Sequence, residues 1–67
     1  MNAFSLTPRE KEIATLIAEG IESREIATRI SRSTKTVEKH RANLMRKIGA
    51  KNVAEVTRYV MQQGWVS

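Results

Sequence analysis

The glycines and the single proline divide this chain into segments of the length that helices need. Pro8 stands in the run Thr7-Pro8-Arg9-Glu10, which is a capping box with proline at the first helical position. The three glycines lie at positions 20, 49 and 64, where apolar patterns of helical spacing stop. No stretch alternates with a period of two over the length of a strand. The sequence therefore predicts an all-α fold.

The capping residues and the glycines together predict four helices. The run Ile30-Ser31-Arg32-Ser33 is polar enough for a tight turn between the second helix and the third. We expect the first helix to run from Thr7 to Gly20 and the second from a cap at Ser23 to that turn. The third should run from Ser33 to Gly49, and the fourth from Asn52 to about Gly64.

The composition limits the chemistry that this chain can perform. Its 67 residues suffice for one small domain, so we expect residues 1–67 to form a single domain. There is no cysteine, no aspartate and only one histidine. These absences exclude a disulfide framework and a thiolate zinc site, and they leave no nucleophile–base pair for an enzyme. We therefore predict no enzymatic activity, no metal and no cofactor.

The charge balance favours a polyanionic partner. Twelve lysines and arginines against seven glutamates give a formal net charge of +5. One residue each of tryptophan, tyrosine and phenylalanine is too few for the aromatic platforms that bind single strands, so duplex nucleic acid is favoured. No apolar run is long enough to span a membrane, and the start MNAFSLTPRE lacks the apolar region of a signal peptide. We expect a cytoplasmic protein.

The second and third helices have the layout of a helix-turn-helix motif over about residues 22–42. Because the turn between them is very short, the two helices cross steeply at close range and need a small residue at their contact. Ala27 meets that need, and an ordinary helix pair in a small bundle stays open as the alternative. The side chains expected around Ala27 are Ile26, Ile30, Val37 and His40.

A rotation of about 100° per residue separates the third helix into an apolar side and a cationic side. Leu44 and Ile48 fall within about 20° of Val37, which marks the core side. The cations can reach phosphates or guanine edges in a major groove, while a small residue permits close approach. Solvation of an outer face is the alternative, and the single sign of the charge disfavours it. The opposite side, here named the cationic face, holds Lys35, Lys39, Ala42 and Arg46.

Several neighbouring side chains have two interpretations each. Glu38 can accept a hydrogen bond from a cytosine amino group, or, as is more common, pair with Lys35 or Arg41. Arg41 lies about 40° from the core centre, so either its stem packs while the guanidinium reaches the DNA backbone, or the helix is rotated. Ser23 and Arg24 begin the second helix, where they can grip a phosphate or only cap the helix.

A set of short motifs extends over nearly the whole chain. They are Leu6-Thr7-Pro8-Arg9-Glu10, Gly20, Glu25-Ile26-Ala27, Ser33, Thr36-Val37, His40 and Lys47-Ile48-Gly49. With these motifs the chain resembles, from Leu6 to about Val66, the LuxR-type helix-turn-helix domain of the NarL, FixJ and LuxR regulators. The run TVEKHRANLMRKIGAKN is most similar to FixJ-like response regulators of two-component systems, which favour glutamate at the position of Glu38.

The resemblance implies specific binding of double-stranded DNA and control of transcription, with the third helix in the major groove. It implies that Glu38, Lys39 and Ala42 read bases. The expected contacts to the DNA backbone, with the two residues at the start of the second helix included, are Ser23, Arg24, Lys35, Thr36, Arg41, Asn43 and Arg46.

The resemblance also implies a dimer on inverted half-sites, formed through the fourth helix at about residues 53–63. It assigns the interface to Ala54, Arg58 and Tyr59. The same resemblance leaves two kinds of protein open, a stand-alone regulator or, as we favour, the effector domain of a longer parent protein with an N-terminal receiver domain. It also implies RNA polymerase as a partner. Two residues depart from the family pattern, because Arg32 stands where the turn usually has an apolar residue and Val53 where many members have arginine.

The fourth helix leaves a second class of function open, that of a helical protein-interaction module. Its apolar arc is wider than one core contact needs, which agrees with a second buried surface. The alternative is that the whole arc packs on the first helix and on Trp65. The arc consists of Val53, Val56, Tyr59, Val60 and Met61.

Overall fold

The structure is a computed structural model that describes residues 5–65. Within that range the chain forms four helices and no strand, so the prediction of an all-α fold is confirmed. The helices are α1 (Pro8–Ala18), α2 (Ser23–Arg29), α3 (Thr34–Ile48) and α4 (Val53–Gln63). Short turns join them, at the places that the glycines and the polar run Ile30-Ser31-Arg32-Ser33 predicted.

Three of the helices begin with the side-chain cap that the sequence predicts. Thr7 and Glu10 form the full capping box, in which Thr7 Oγ1 accepts from the Glu10 amide at 3.1 Å and Glu10 Oε1 accepts from the Thr7 amide at 2.9 Å. Ser33 Oγ accepts from the Thr36 amide at 3.1 Å. Asn52 Oδ1 accepts at 3.0 Å from the amide three residues later. These bonds satisfy amides that have no partner within the helix.

The start of α2 differs from the prediction. Glu22 holds the N-cap position without a side-chain capping bond, so the prediction that Ser23 caps this helix is wrong. Ser23 is the first helical residue and is buried, and its hydroxyl accepts a hydrogen bond from Arg41 Nη1 at 3.2 Å. Serine is a typical cap by residue type, but here a tertiary contact with α3 uses its hydroxyl instead.

A tight turn carries the chain from α2 into α3. Ser31 lies in the left-handed region with φ 57°, and its amide donates to the Thr28 carbonyl at 3.3 Å. The Arg32 amide donates to the Ala27 carbonyl at 2.9 Å. This pair of bonds is a Schellman motif, which ends a helix and reverses the chain. Because of this turn, Ser33, the N-cap of α3, follows soon after Arg29, the last residue of α2.

All four helices contribute to one apolar core. α1 packs against α3 and α4, while α2 packs mainly against α3. Burial of each large apolar side chain contributes about 1.5–3 kcal/mol to folding. Because α1 and α2 both cover the apolar side of α3, the opposite side of α3 faces outward. The largest fully buried side chains are Ile13, Ile26, Val37, Leu44, Val56 and Val60.

A buried carboxylate ties the start of α1 to the far end of α3. Glu10 is only 5% exposed, and its Oε1 accepts a hydrogen bond from Lys47 Nζ at 2.8 Å. Burial raises the pKa of the Glu10 carboxyl, but hydrogen bonds from Lys47 and Thr7 outweigh that effect, so the pKa lies below its usual 4.5. The ion pair fixes the C-terminal half of α3 against α1.

Candidate nucleic-acid interface

α2 and α3 pack against each other with the side chains that the predicted helix-turn-helix motif requires in the interior. Ala27, the small residue expected at the contact, is 4% exposed. His40 is half-buried, as expected for a residue at the edge of this contact. The packing against α2 thus fixes the buried side of α3. The other expected members, all buried, are Ile26, Ile30 and Val37.

The cationic face of α3 points away from the core. All four of its residues are exposed, whereas Val37 and Leu44 on the other side of the helix have no exposed surface. The rotation that the sequence predicts for α3 is therefore the one that the structure adopts. The four exposed residues are Lys35, Lys39, Ala42 and Arg46.

Among residues 5–65, the cations of this face have no carboxylate partner. The ion pairs found among residues 5–65 are Arg9–Glu12, Arg29–Glu25 and Lys47–Glu10. None of them involves the cationic face, while the arginine on the outer side of α1 and the last arginine of α2 are both paired. Exposed cations of the neighbouring helices, Lys11 and Arg24, are also absent from these ion pairs, so what distinguishes the cationic face is the single sign of its charge.

Asn43 and Arg46 are linked to each other. Arg46 Nη2 donates to Asn43 Oδ1 at 2.7 Å across one turn of α3. The sequence predicts them only as two separate contacts to the DNA backbone. Their spacing of three residues, which places two side chains side by side on a helix, was the signal that could have revealed the link. The bond orients the guanidinium at the C-terminal end of the cationic face.

Arg41 lies between the two interpretations that the sequence left open. It is half-buried, so its stem packs, but its guanidinium donates to Ser23 Oγ rather than extending freely from α3. Arg24, next to Ser23 in the first turn of α2, is exposed. The structure thereby brings together Ser23, Arg24 and Arg41, three of the predicted backbone contacts, at the N-terminal end of α2. No sequence signal pairs Ser23 with a residue 18 positions away.

Glu38 stands free on the outer surface of α3. It is exposed and takes part in none of the ion pairs of the described residues, so the expected pairing with Lys35 or Arg41 is not formed. The Glu38 carboxylate is therefore available as a hydrogen-bond acceptor.

Thr36 is half-buried beside the start of the helix, where its Oγ1 accepts from Ser33 Oγ at 3.0 Å.

The apolar arc of α4 is split between the core and the surface. Val56 and Val60 are fully buried, while Val53 is 40% exposed and Met61 63% exposed. Tyr59 is half-buried, because its ring packs edge-on against Trp65 with 5.7 Å between the centroids. The interpretation that the whole arc packs on α1 and Trp65 therefore holds for only part of it, since Val53 and Met61 are exposed. Of the predicted dimer residues, the two that are exposed are Ala54 and Arg58.

No group of three or more His, Cys, Asp or Glu side chains in the described part of the chain could hold a metal ion. No helix within residues 5–65 is both long enough and apolar enough to cross a membrane.

Comparison with known proteins identifies related sequences. A family model described as "Bacterial regulatory proteins, luxR family" matches residues 4–60. The transcriptional regulatory protein UhpA of Escherichia coli (strain K12) is 47% identical over 60 residues, which cover 90% of this chain and 30% of UhpA. The tetrathionate response regulatory protein TtrR of Salmonella typhimurium is 47% identical over 53 residues, which cover 79% of this chain and 26% of TtrR.

A third relative has the same partial overlap. The oxygen regulatory protein NreC of Staphylococcus aureus is 41% identical over 58 residues, which cover 87% of this chain and 27% of NreC. The chain thus spans less than a third of the length of these relatives. The resemblance to LuxR-type domains that the motifs predicted is confirmed.

Proposed function

The chain belongs to the luxR family of bacterial regulatory proteins, and we propose that it is a sequence-specific DNA-binding effector domain that inserts α3 into the major groove. Membership of the family makes it a DNA-binding helix-turn-helix domain of the kind found in transcriptional regulators, a kind that is not generally enzymatic. The proposal adds the docking geometry and the roles of individual residues. We also propose that residues 1–67 form a single domain.

One observation carries this proposal, which is the unpaired charge on the outer side of α3. Lys35, Lys39 and Arg46 are exposed and have no carboxylate partner among residues 5–65. They can therefore neutralise DNA phosphates or donate to guanine without first breaking an ion pair. Ala42 lies on the same face and presents no long side chain that would hold the helix away from the bases.

We assign base reading to three exposed residues of α3. Lys39 can donate to the O6 and N7 atoms of guanine, and Glu38 can accept from the N4 amino group of cytosine. The methyl group of Ala42 can contact the methyl group of thymine. The residues to which we assign contacts with the DNA backbone are Ser23, Arg24, Lys35, Thr36, Arg41, Asn43 and Arg46.

We also propose a homodimer on inverted half-sites, formed through α4 with Ala54, Arg58 and Tyr59 at the interface. The exposure of Ala54 and Arg58 supports this assignment, as do the neighbouring exposed apolar groups of Val53 and Met61.

Because the chain spans less than a third of the length of its relatives, we propose a longer cytoplasmic parent protein. This parent is a two-component response regulator with an N-terminal receiver domain, and RNA polymerase is a partner.

Fluorescence anisotropy with labelled duplexes tests the roles assigned to α3. Binding of the chain to a random duplex should weaken with salt on a log–log slope of several units. Lys39→Ala should weaken binding to a selected specific duplex more than binding to the random one, since base contacts specify and phosphate contacts do not. Arg46→Ala should weaken both alike and reduce the slope by about one unit.

Arg9→Ala is the matched control, because it removes the same charge from α1, where Arg9 is already paired with Glu12. It should change both affinities little. The assignment of roles is wrong if the Lys39 and Arg46 variants behave identically on the two duplexes.

A protein-interaction module is the second candidate function, favoured by the exposure of Met61. A stable protein complex that leaves Lys39 and Arg46 accessible would support it.

A further inference from the structure

Arg32 occupies the turn between α2 and α3, where the LuxR-type pattern usually has an apolar residue. In a Schellman motif the residue at this place normally makes an apolar contact with the third residue from the helix end. That partner is Ala27 here, which is 4% exposed. Arg32 is exposed. The arginine therefore leaves the core complete and extends into solvent.

The backbone fixes the position of Arg32 although its side chain is free. Its amide is held by the carbonyl of Ala27 at 2.9 Å, and the next residue, Ser33, caps α3. The Cα atom of Arg32 is therefore anchored immediately before the first turn of α3, the turn that contains Lys35. A long cationic side chain from this point extends the line of positive charge beyond the N-terminus of α3.

The charge of Arg32 is uncompensated in the described part of the chain. None of the ion pairs among residues 5–65 involves it. The preceding carboxylate in the sequence, that of Glu25, is bound to Arg29 at 3.0 Å. No structural task within residues 5–65 explains an arginine here, since it contributes neither to the core nor to an ion pair.

We infer that Arg32 is an additional phosphate-binding residue, beyond the contacts that the family pattern implies. The inference rests on the proposed function, in which the N-terminal part of α3 enters the major groove. A turn directly before that part lies at the edge of the groove, next to the sugar–phosphate backbone. A guanidinium group suits this place, because it can bind two phosphate oxygens at once.

Salt titrations of the 67-residue chain on a random duplex of roughly 30 base pairs test this contact. Arg32→Leu supplies the usual apolar turn residue and should lower the slope of log K against log salt by about 0.9, the value for one phosphate contact. Arg32→Gln, a second neutral variant, should lower it equally. Arg32→Lys should keep the slope of the parent, since it retains the charge.

Arg9→Gln is the control for net charge, because it also removes one cation but from an ion pair on α1. Its slope should equal that of the parent. The contact at Arg32 is refuted if the parent binds with a steep slope and both neutral variants keep that slope, or if Arg9→Gln lowers it as much. A parent chain without salt-dependent binding would instead refute the proposed function itself. Circular dichroism of each variant verifies that the helices are retained.

Discussion

Glu10 serves two helices with one carboxylate. Its Oε1 accepts from the Thr7 amide at 2.9 Å, which caps α1, and from Lys47 Nζ at 2.8 Å, which holds α3. Both bonds favour the ionised form and keep the pKa of Glu10 below 4.5 in spite of burial. A carboxyl whose pKa is lowered by folding stabilises the folded state above its unfolded pKa, and this contribution disappears as the pH falls through the folded value.

Glu10→Gln should therefore lower the free energy of unfolding at pH 7 by about 1–3 kcal/mol, since it removes the negative charge of the acceptor and leaves the Lys47 ammonium with only a neutral partner. The gap between parent and variant should narrow below pH 4.5 and close once the parent carboxyl is protonated. Urea unfolding followed by circular dichroism, repeated from pH 7 down to strong acid, measures this gap.

Glu12→Gln is the surface control for this experiment. Its partner Arg9 is on the same exposed turn of α1, and such pairs contribute only about 0–1 kcal/mol. The variant should therefore follow the parent closely at every pH. A gap between parent and Glu10→Gln that stays constant from neutral to acid pH would contradict the stabilising role of the Glu10–Lys47 pair.

At the scale of residues, sequence spacing predicted the local bonds and missed the long-range ones. The capping box of Thr7 and Glu10 can be predicted from the sequence because its two partners are three positions apart. Glu10 and Lys47 are 37 positions apart, so their meeting depends on how α1 packs against α3. The role of Ser23 was missed for the same reason, since Arg41 reaches it only after α2 and α3 have docked.

At the scale of elements, the start of α3 combines a structural task with a proposed functional one. Ser33 Oγ accepts from the Thr36 amide at 3.1 Å and thereby caps the helix. The same end of the helix carries Lys35 of the cationic face and follows Arg32 in the turn. A substitution at Ser33 can therefore separate the stability of α3 from its affinity for DNA.

Ser33→Ala should destabilise the fold by about 1 kcal/mol, because the cap is lost. Ser33→Asp should keep the cap and a stability within about 0.5 kcal/mol of the parent, since a carboxylate is favourable at a helix N-terminus. It should nevertheless weaken binding to duplex DNA, because it places a negative charge beside Lys35. Thermal unfolding and anisotropy measure the two effects.

Asn52→Asp makes the same change of charge at the cap of α4, where Asn52 Oδ1 accepts from the Glu55 amide. It should retain the DNA affinity of the parent more fully than Ser33→Asp does. Equal weakening by the two aspartates would show that the start of α3 has no special place at the DNA and that only net charge matters.

The elements themselves were largely predictable, because their ends are marked by local chemistry. Gly49 and Gly64 adopt φ 72° and 76° at the ends of α3 and α4, a conformation that favours glycine. The end of α2 has no glycine, and Ser31 takes the left-handed conformation instead. The polarity of the turn still indicated its place, but the Schellman bonds and the exposed position of Arg32 required the structure.

At the scale of the whole molecule, the second surface to explain is the outward side of α4. Its buried side joins the core through Val56 and Val60, and Tyr59 is engaged by Trp65. Ala54 and Arg58 remain exposed one helical turn apart. A small residue beside exposed apolar groups lets a second helix approach closely, which is the physical basis for placing the proposed dimer contact here.

Ala54→Glu should abolish cooperative binding to a duplex with two inverted half-sites while leaving the affinity for a single half-site unchanged. The added carboxylate prevents close approach of two α4 helices, yet it can pair with Arg58 of its own helix and so preserves α4. The parent should bind the second half-site about 5–150-fold more tightly than the first, and the variant should bind both equally. Ala54→Ser, which stays small and uncharged, should keep the cooperativity. Cooperative binding by the Glu variant, measured by anisotropy on duplexes with one and two half-sites, would place the dimer contact elsewhere than Ala54.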